Sequence, residues 1–134
     1  MKKYLLIFFL LLLVSCGKPK GEFAFKNPED KGYKINQGRL EFDSTKETDW
    51  VYKFKNMPGD RIDLGIIILK KEIGWIDILT TRDYIDSSKN IVYGILKNLE
   101  PGDYKIVLVE ITSDGNETID SAEVYIYSDE EVLD

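Results

Sequence analysis

The 134-residue sequence predicts an all-β protein, two antiparallel sheets packed face to face. Three observations predict it. Short runs of alternating apolar and polar residues recur along the chain, separated by turn-forming residues at close intervals. No window carries a 3.6-residue apolar period of helical length. The composition, 43% hydrophobic and 31% charged, is that of a globular chain, and the length suits one buried core. About seven to eight strands in roughly 110 residues argue for a sandwich, with a closed barrel as the alternative.

The strands follow in order. Glu22-Phe23-Ala24-Phe25 is the first run and Asn27-Pro28 ends it. Arg39-Leu40-Glu41-Phe42 alternates. Trp50, Tyr52 and Phe54 share one face of the next strand, and Met57-Pro58-Gly59-Asp60 turns the chain. Ile62 to Leu69 is almost wholly apolar and β-branched, as a strand buried on both faces would be. Gly74 to Thr80 follows, with Ile76 and Ile78 aligned; Ser87-Ser88-Lys89 is at most one turn of helix. Asn90 to Leu96 aligns Ile91, Tyr93 and Ile95. Tyr104 to Ile111 and Ile119 to Tyr127 are the last strands, joined through Thr112-Ser113-Asp114-Gly115-Asn116, where Asp-Gly suits a tight hairpin. The predicted core is Trp50, Tyr52, Phe54, Leu64, Ile66, Ile68, Ile76, Ile78, Ile91, Tyr93, Leu99, Tyr104, Ile106, Leu108, Val124 and Ile126.

Leu99-Glu100-Pro101-Gly102-Asp103-Tyr104, followed by Ile106 and Leu108, resembles the approach to the penultimate strand of immunoglobulin-like and fibronectin type III-like domains. The spacing is that of the compact Pro-Gly-x-Tyr version of bacterial modules. The resemblance covers Leu99 to Tyr127 well and the first half poorly. It implies an immunoglobulin-like sandwich in which the Tyr104 hydroxyl hydrogen-bonds back to the turn, a tyrosine corner and a structural role.

The N-terminus carries the strongest address. Lys2 and Lys3 precede eleven uncharged residues, Tyr4 to Val14. Spanning a bilayer takes roughly 20 apolar residues, whereas a secretory signal needs about 7–15. Leu13-Val14-Ser15-Cys16 then resembles the lipobox of bacterial lipoproteins. The resemblance is confined to the first sixteen residues. It implies acylation of Cys16 through its sulfur and cleavage just before it. It places the protein, exported and lipid-anchored, on a cell membrane or outer membrane. Removing Lys2 and Lys3 makes the net charge more negative than −6, so acyl chains rather than charge would hold the domain to an acidic membrane. The resulting division is a signal peptide (1–15), a lipidated tether (16–21), the sandwich (22–128) and an acidic tail (129–134).

Composition narrows the chemistry. The chain has no His and one Cys, which excludes His-based acid–base catalysis, a His/Cys zinc site and any intrachain disulfide. The net charge of −6 argues against a nucleic-acid surface. Among carboxylates, Asp77 and Glu110 stand inside apolar runs, each read as part of a solvated sheet face; Asp77 should lie opposite Ile76 and Ile78, with Trp75 and Leu79. Asp83, Asp86, Ser87 and Ser88 cluster, but their spacing matches no defined Ca²⁺ loop and the sharp-turn glycine is missing. Asp114-Gly115-Asn116 reads as a hairpin tip, and Gly65 and Gly74 are isolated rather than a phosphate loop. Trp75, Tyr84, Tyr125 and Tyr127 are candidates for an outer aromatic strip on which a glycan stacks, weighed against ordinary cross-strand pairing. No catalytic residue, metal ligand or cofactor site is predicted. The reading is a lipid-anchored envelope protein whose non-catalytic module binds a partner or supports the envelope. Carbohydrate binding is the alternative, and a carboxylate-dependent hydrolase comes last.

Overall fold

The structure, a computed structural model, describes residues 19–35 and 40–128. Cys16, the signal segment and the acidic tail lie outside the described residues. Within them nine strands form: β1 (Gly21–Lys26), β2 (Lys34–Ile35), β3 (Leu40–Asp43), β4 (Thr48–Phe54), β5 (Ile62–Lys71), β6 (Trp75–Ile85), β7 (Ile91–Leu96), β8 (Gly102–Thr112) and β9 (Gly115–Tyr127). One sheet has the order β2-β1-β4-β7, the other β3-β9-β8-β5-β6. This is a two-sheet sandwich of the immunoglobulin-like kind. All pairings are antiparallel except β3 with β9, which run parallel. β2, a two-residue strand paired through Ala24 and Phe25, was not foreseen, and β1 opens one residue earlier than expected, at Gly21.

The core is mainly aromatic on the side of the four-stranded sheet and mainly aliphatic on the other. β1 and β4 carry Phe23, Phe25, Trp50, Tyr52 and Phe54 inward, all at most 4% exposed. Phe23 meets Tyr52 edge-on at 4.6 Å, and Tyr52 meets Phe54 at 4.9 Å. Such pairs add about 0.5–1.5 kcal/mol beyond area burial. Leu64, Ile66, Ile68, Ile106 and Leu108 face them from β5 and β8. On the outer face of that sheet, Gly65 leaves the space that Val109 occupies: a Cβ there would sit 2.8 Å from Val109 Cγ2.

Four predicted core residues are exposed instead. Ile91 and Tyr93 point outward from β7, Tyr93 at 69% exposure, while Val92 and Leu96 are buried. The cause lies on the neighbouring strand. Trp50 pairs with Gly94, and its indole lies 2.7 Å from where a Gly94 Cβ would be. Only the phase that turns Gly94 inward makes room for the ring; a tyrosine side chain there would collide with it. Ile76 and Ile78 are also exposed, because β6 is the last strand of its sheet and only Ile85 at its end is fully buried. The register of β6 shifts at Ile78, which has no partner on β5. That bulge turns Ile76 and Leu79 to one face and Trp75 and Asp77 to the other, so Leu79 does not share the Asp77 face as expected.

The remaining expectations concern turns. Tyr104 donates its hydroxyl to the Glu100 carbonyl at 2.6 Å, the tyrosine corner anticipated from Pro101-Gly102-Asp103. The β8–β9 hairpin turns at Ser113-Asp114, and the positive φ falls on Gly115 (123°). Ser87-Ser88 is a tight β-type turn closed by pairing of Asp86 with Lys89, not a turn of helix.

Candidate binding surfaces

The strand directions collect the point where the chain joins β1, the 55–61 loop, the 86–90 turn and the β8–β9 hairpin at one end of the sandwich. The junction itself is built from five residues. The Lys20 carbonyl accepts the Lys55 N–H at 2.9 Å. The Gly21 N–H donates to the Tyr52 hydroxyl oxygen at 2.8 Å, and that hydroxyl donates to Asp120 Oδ2 at 3.1 Å. A side chain at Gly21 would meet the Lys53 carbonyl oxygen at 1.9 Å, so this position accepts only glycine. Burial first, and the Asp120 charge second, push the Tyr52 hydroxyl well above the ordinary tyrosine range. It therefore stays neutral and donates across the two sheets. Asp120 is available because the register of β8 and β9 slips there, leaving Ile119 unpaired. Sequence reading placed Tyr52 in the core but missed this link; the signal was that a buried tyrosine hydroxyl needs a partner.

A second cluster lies beside the junction. The Tyr84 ring has two cations against it, Arg61 at 4.2 Å and Lys89 at 4.4 Å from its centroid. Arg61 Nε donates to Asp63 Oδ1 at 3.0 Å, and Lys89 Nζ donates to Asp83 Oδ1. The Asp83 hydrogen bond holds the Lys89 ammonium above its usual range, outweighing burial. Arg61, Asp63, Arg82 and Tyr84 line a shallow, open depression of about 450 Å³. Cation–π contacts of this kind contribute about 0.5–1 kcal/mol at exposed sites.

The four aromatic candidates all face outward on the five-stranded sheet. Trp75 pairs with Lys71, Tyr84 with Asp63, and Tyr125 with Asp103, while Tyr127 alternates with the buried Ile126. None presents a bare ring: all four are half-buried, and Lys105 Nζ stands 4.3 Å from the Trp75 centroid. Trp75 and Tyr84 lie at opposite ends of β6.

The acids are dispersed. Asp77 is exposed on the outer face, at the bulge. Glu110, expected on a solvated face, instead sits opposite the buried Leu64, on the inward side near the end of β8, and is half-buried. Asp86 Oδ1 accepts the Ser88 N–H and hydroxyl, both at 2.8 Å, and these bonds lower its pKa. Asp83 is engaged by Lys89. Asp83 thus stands on β6 rather than in a shared loop with Asp86, Ser87 and Ser88, and Asp86 alone uses its carboxylate to close the turn. Among the described residues no three His, Cys, Asp or Glu side chains gather as a metal-binding group.

No protein-family model matches the chain, and no curated protein matches it. Solved structures do. The soluble domain of PmoD from Methylocystis sp. ATCC 49242 (Rockwell) superposes with a TM-score of 0.57 at 13% identity, over 78% of this chain and 89% of that one. The C-terminal domain of wzt gives 0.48 at 16% identity, over 83% and 74%. Murine CRIg gives 0.42 at 11%, over 81% and 98%. At these identities the PmoD likeness is one of fold, and it agrees with the sandwich described above.

Proposed function

We propose that this chain is a lipid-anchored envelope protein: acylated at Cys16, exported, and held at a cell membrane or outer membrane with its immunoglobulin-like domain projecting on a short tether. The domain's role is to bind a partner or support the envelope, without catalysis. The fold class is compatible with such a module, and the lipobox-like Leu13-Val14-Ser15-Cys16 supports the address. The observation that carries the reading is the junction at Lys20 and Gly21. There backbone and side-chain hydrogen bonds secure the chain to β4 and, through Tyr52, to Asp120 of the opposite sheet. A pull on the tether is thus spread over both sheets instead of peeling β1 away.

Replacing Cys16 with Ala tests the anchor. The protein should leave the membrane fraction for the soluble one and lose palmitate labelling, while mass spectrometry of the parent should find Cys16 acylated as the first residue. A chain recovered intact from Met1, dissolved in cytosol, overturns the proposal.

Glycan binding stays as a second reading because Trp75, Tyr84, Tyr125 and Tyr127 share one outer face. A glycan would have to displace Lys105 from the Trp75 ring, which predicts a shift in tryptophan fluorescence on adding cell-wall polysaccharide. A flat titration removes this reading.

A further inference from the structure

We propose that β6 is a self-association edge, pairing antiparallel with β6 of a second copy about a two-fold axis through Thr80. Four strands end the two sheets: β2, β7, β3 and β6. Open edges invite pairing, and proteins blunt them by keeping them short or charged. β2 has 2 residues, β3 has 4 and β7 has 6, whereas β6 has 11. β6 also leaves Ile76, Ile78 and Leu79 at 50%, 43% and 51% exposure. No proline interrupts it.

The register follows from faces and charges. Pairing with β5 sets Trp75, Asp77, Thr80, Arg82 and Tyr84 on the outer side, and Ile76, Leu79, Thr81 and Asp83 on the inner side. Residues opposite each other in a ladder must share a side, and a two-fold axis must map the strand onto itself. With the axis at Thr80, Leu79 meets Thr81 of the second copy. The Ile78 bulge of each strand then brings Arg82 opposite Asp77 of the second copy, and Tyr84 opposite its Trp75. Each of these contacts occurs twice. Arg82 and Asp77 have no ion-pair partner among the described residues, and this register gives one to each. An axis at Thr81 sets Asp77 against Tyr84 and Arg82 against Thr80. An axis at Arg82 stacks two guanidinium groups. Only the Thr80 axis joins opposite charges on the side they share.

The test uses the full chain in membranes under mild oxidation, read on non-reducing gels. Thr80→Cys places two thiols across the axis and should form a disulfide-linked dimer, while Tyr93→Cys on the β7 edge should not. In the Thr80→Cys background, Asp77→Arg sets arginine against arginine twice and should cut the cross-linked fraction about tenfold. Adding Arg82→Asp should restore it, which also shows that the single variant had kept its fold. No Thr80→Cys dimer, equal cross-linking at Tyr93→Cys, or no rescue by the charge swap overturns the proposal.

Discussion

Tyr52 shows how much one hydroxyl can hold. Its ring is fully buried against Phe23 and Phe54, and its oxygen both accepts from the Gly21 N–H and donates to Asp120. Tyr52→Phe keeps the ring and strands the Gly21 N–H without its acceptor. The expected loss is about 1–3 kcal/mol of unfolding free energy, measured by urea denaturation. The same variant should raise amide exchange at Gly21 and Glu22 before it raises exchange in β8. Tyr104 differs in kind. Its partner, the Glu100 carbonyl, is four residues away, so Pro101-Gly102-Asp103 already announced the bond in the sequence. Asp120 lies 68 residues from Tyr52, and no local pattern joins them.

Among the strands, β7 was legible as a strand but not in its phase. Ile91, Tyr93 and Ile95 form the bulkier alternate set and so look like the buried one. The inward set is Val92, Gly94 and Leu96, because Trp50 of β4 fills the space above Gly94. Gly94→Ala puts a methyl 2.7 Å from the indole and is expected to cost about 1–3 kcal/mol, read from the urea midpoint. A shift in Trp50 fluorescence should accompany the loss. For β6 the alternation is broken by one extra residue, Ile78. A bulge leaves no mark in hydrophobic period, so the faces of Leu79 and Asp77 emerge only once β5 is set beside it.

For the molecule as a whole, the sequence has no side chain that ordinarily titrates between carboxylate and tyrosine apart from the lone Cys, since it has no His. Asp30 and Asp86 are held below the ordinary carboxylate value of 3.8, chiefly by hydrogen bonds from the Asn27 N–H and the Ser88 N–H. A lowered folded pKa gives stability that is present above 3.8 and lost as pH falls through the folded value. Tyr52 and Tyr104 are raised above 10.0, chiefly by burial, so their contribution is complete below that value and lost as pH rises beyond it. The urea midpoint should therefore stay level from about pH 6 to 8 and fall on both the acid and alkaline sides. A step between pH 6 and 7 contradicts this account.

By itself the sequence determined the class of fold, the positions of the main strands and the tyrosine corner, and it carries the lipobox-like motif on which the proposed anchor rests. Each is written in residues close together along the chain, as alternation, turn chemistry or a four-residue motif. Tertiary structure alone decided the parallel pairing of β3 with β9, the inward face of β7, the bulge in β6, and the bond that ties Tyr52 to Asp120. These depend on which strand lies beside which and what volume its neighbour leaves. That is a property of two distant segments together, and neither carries it alone.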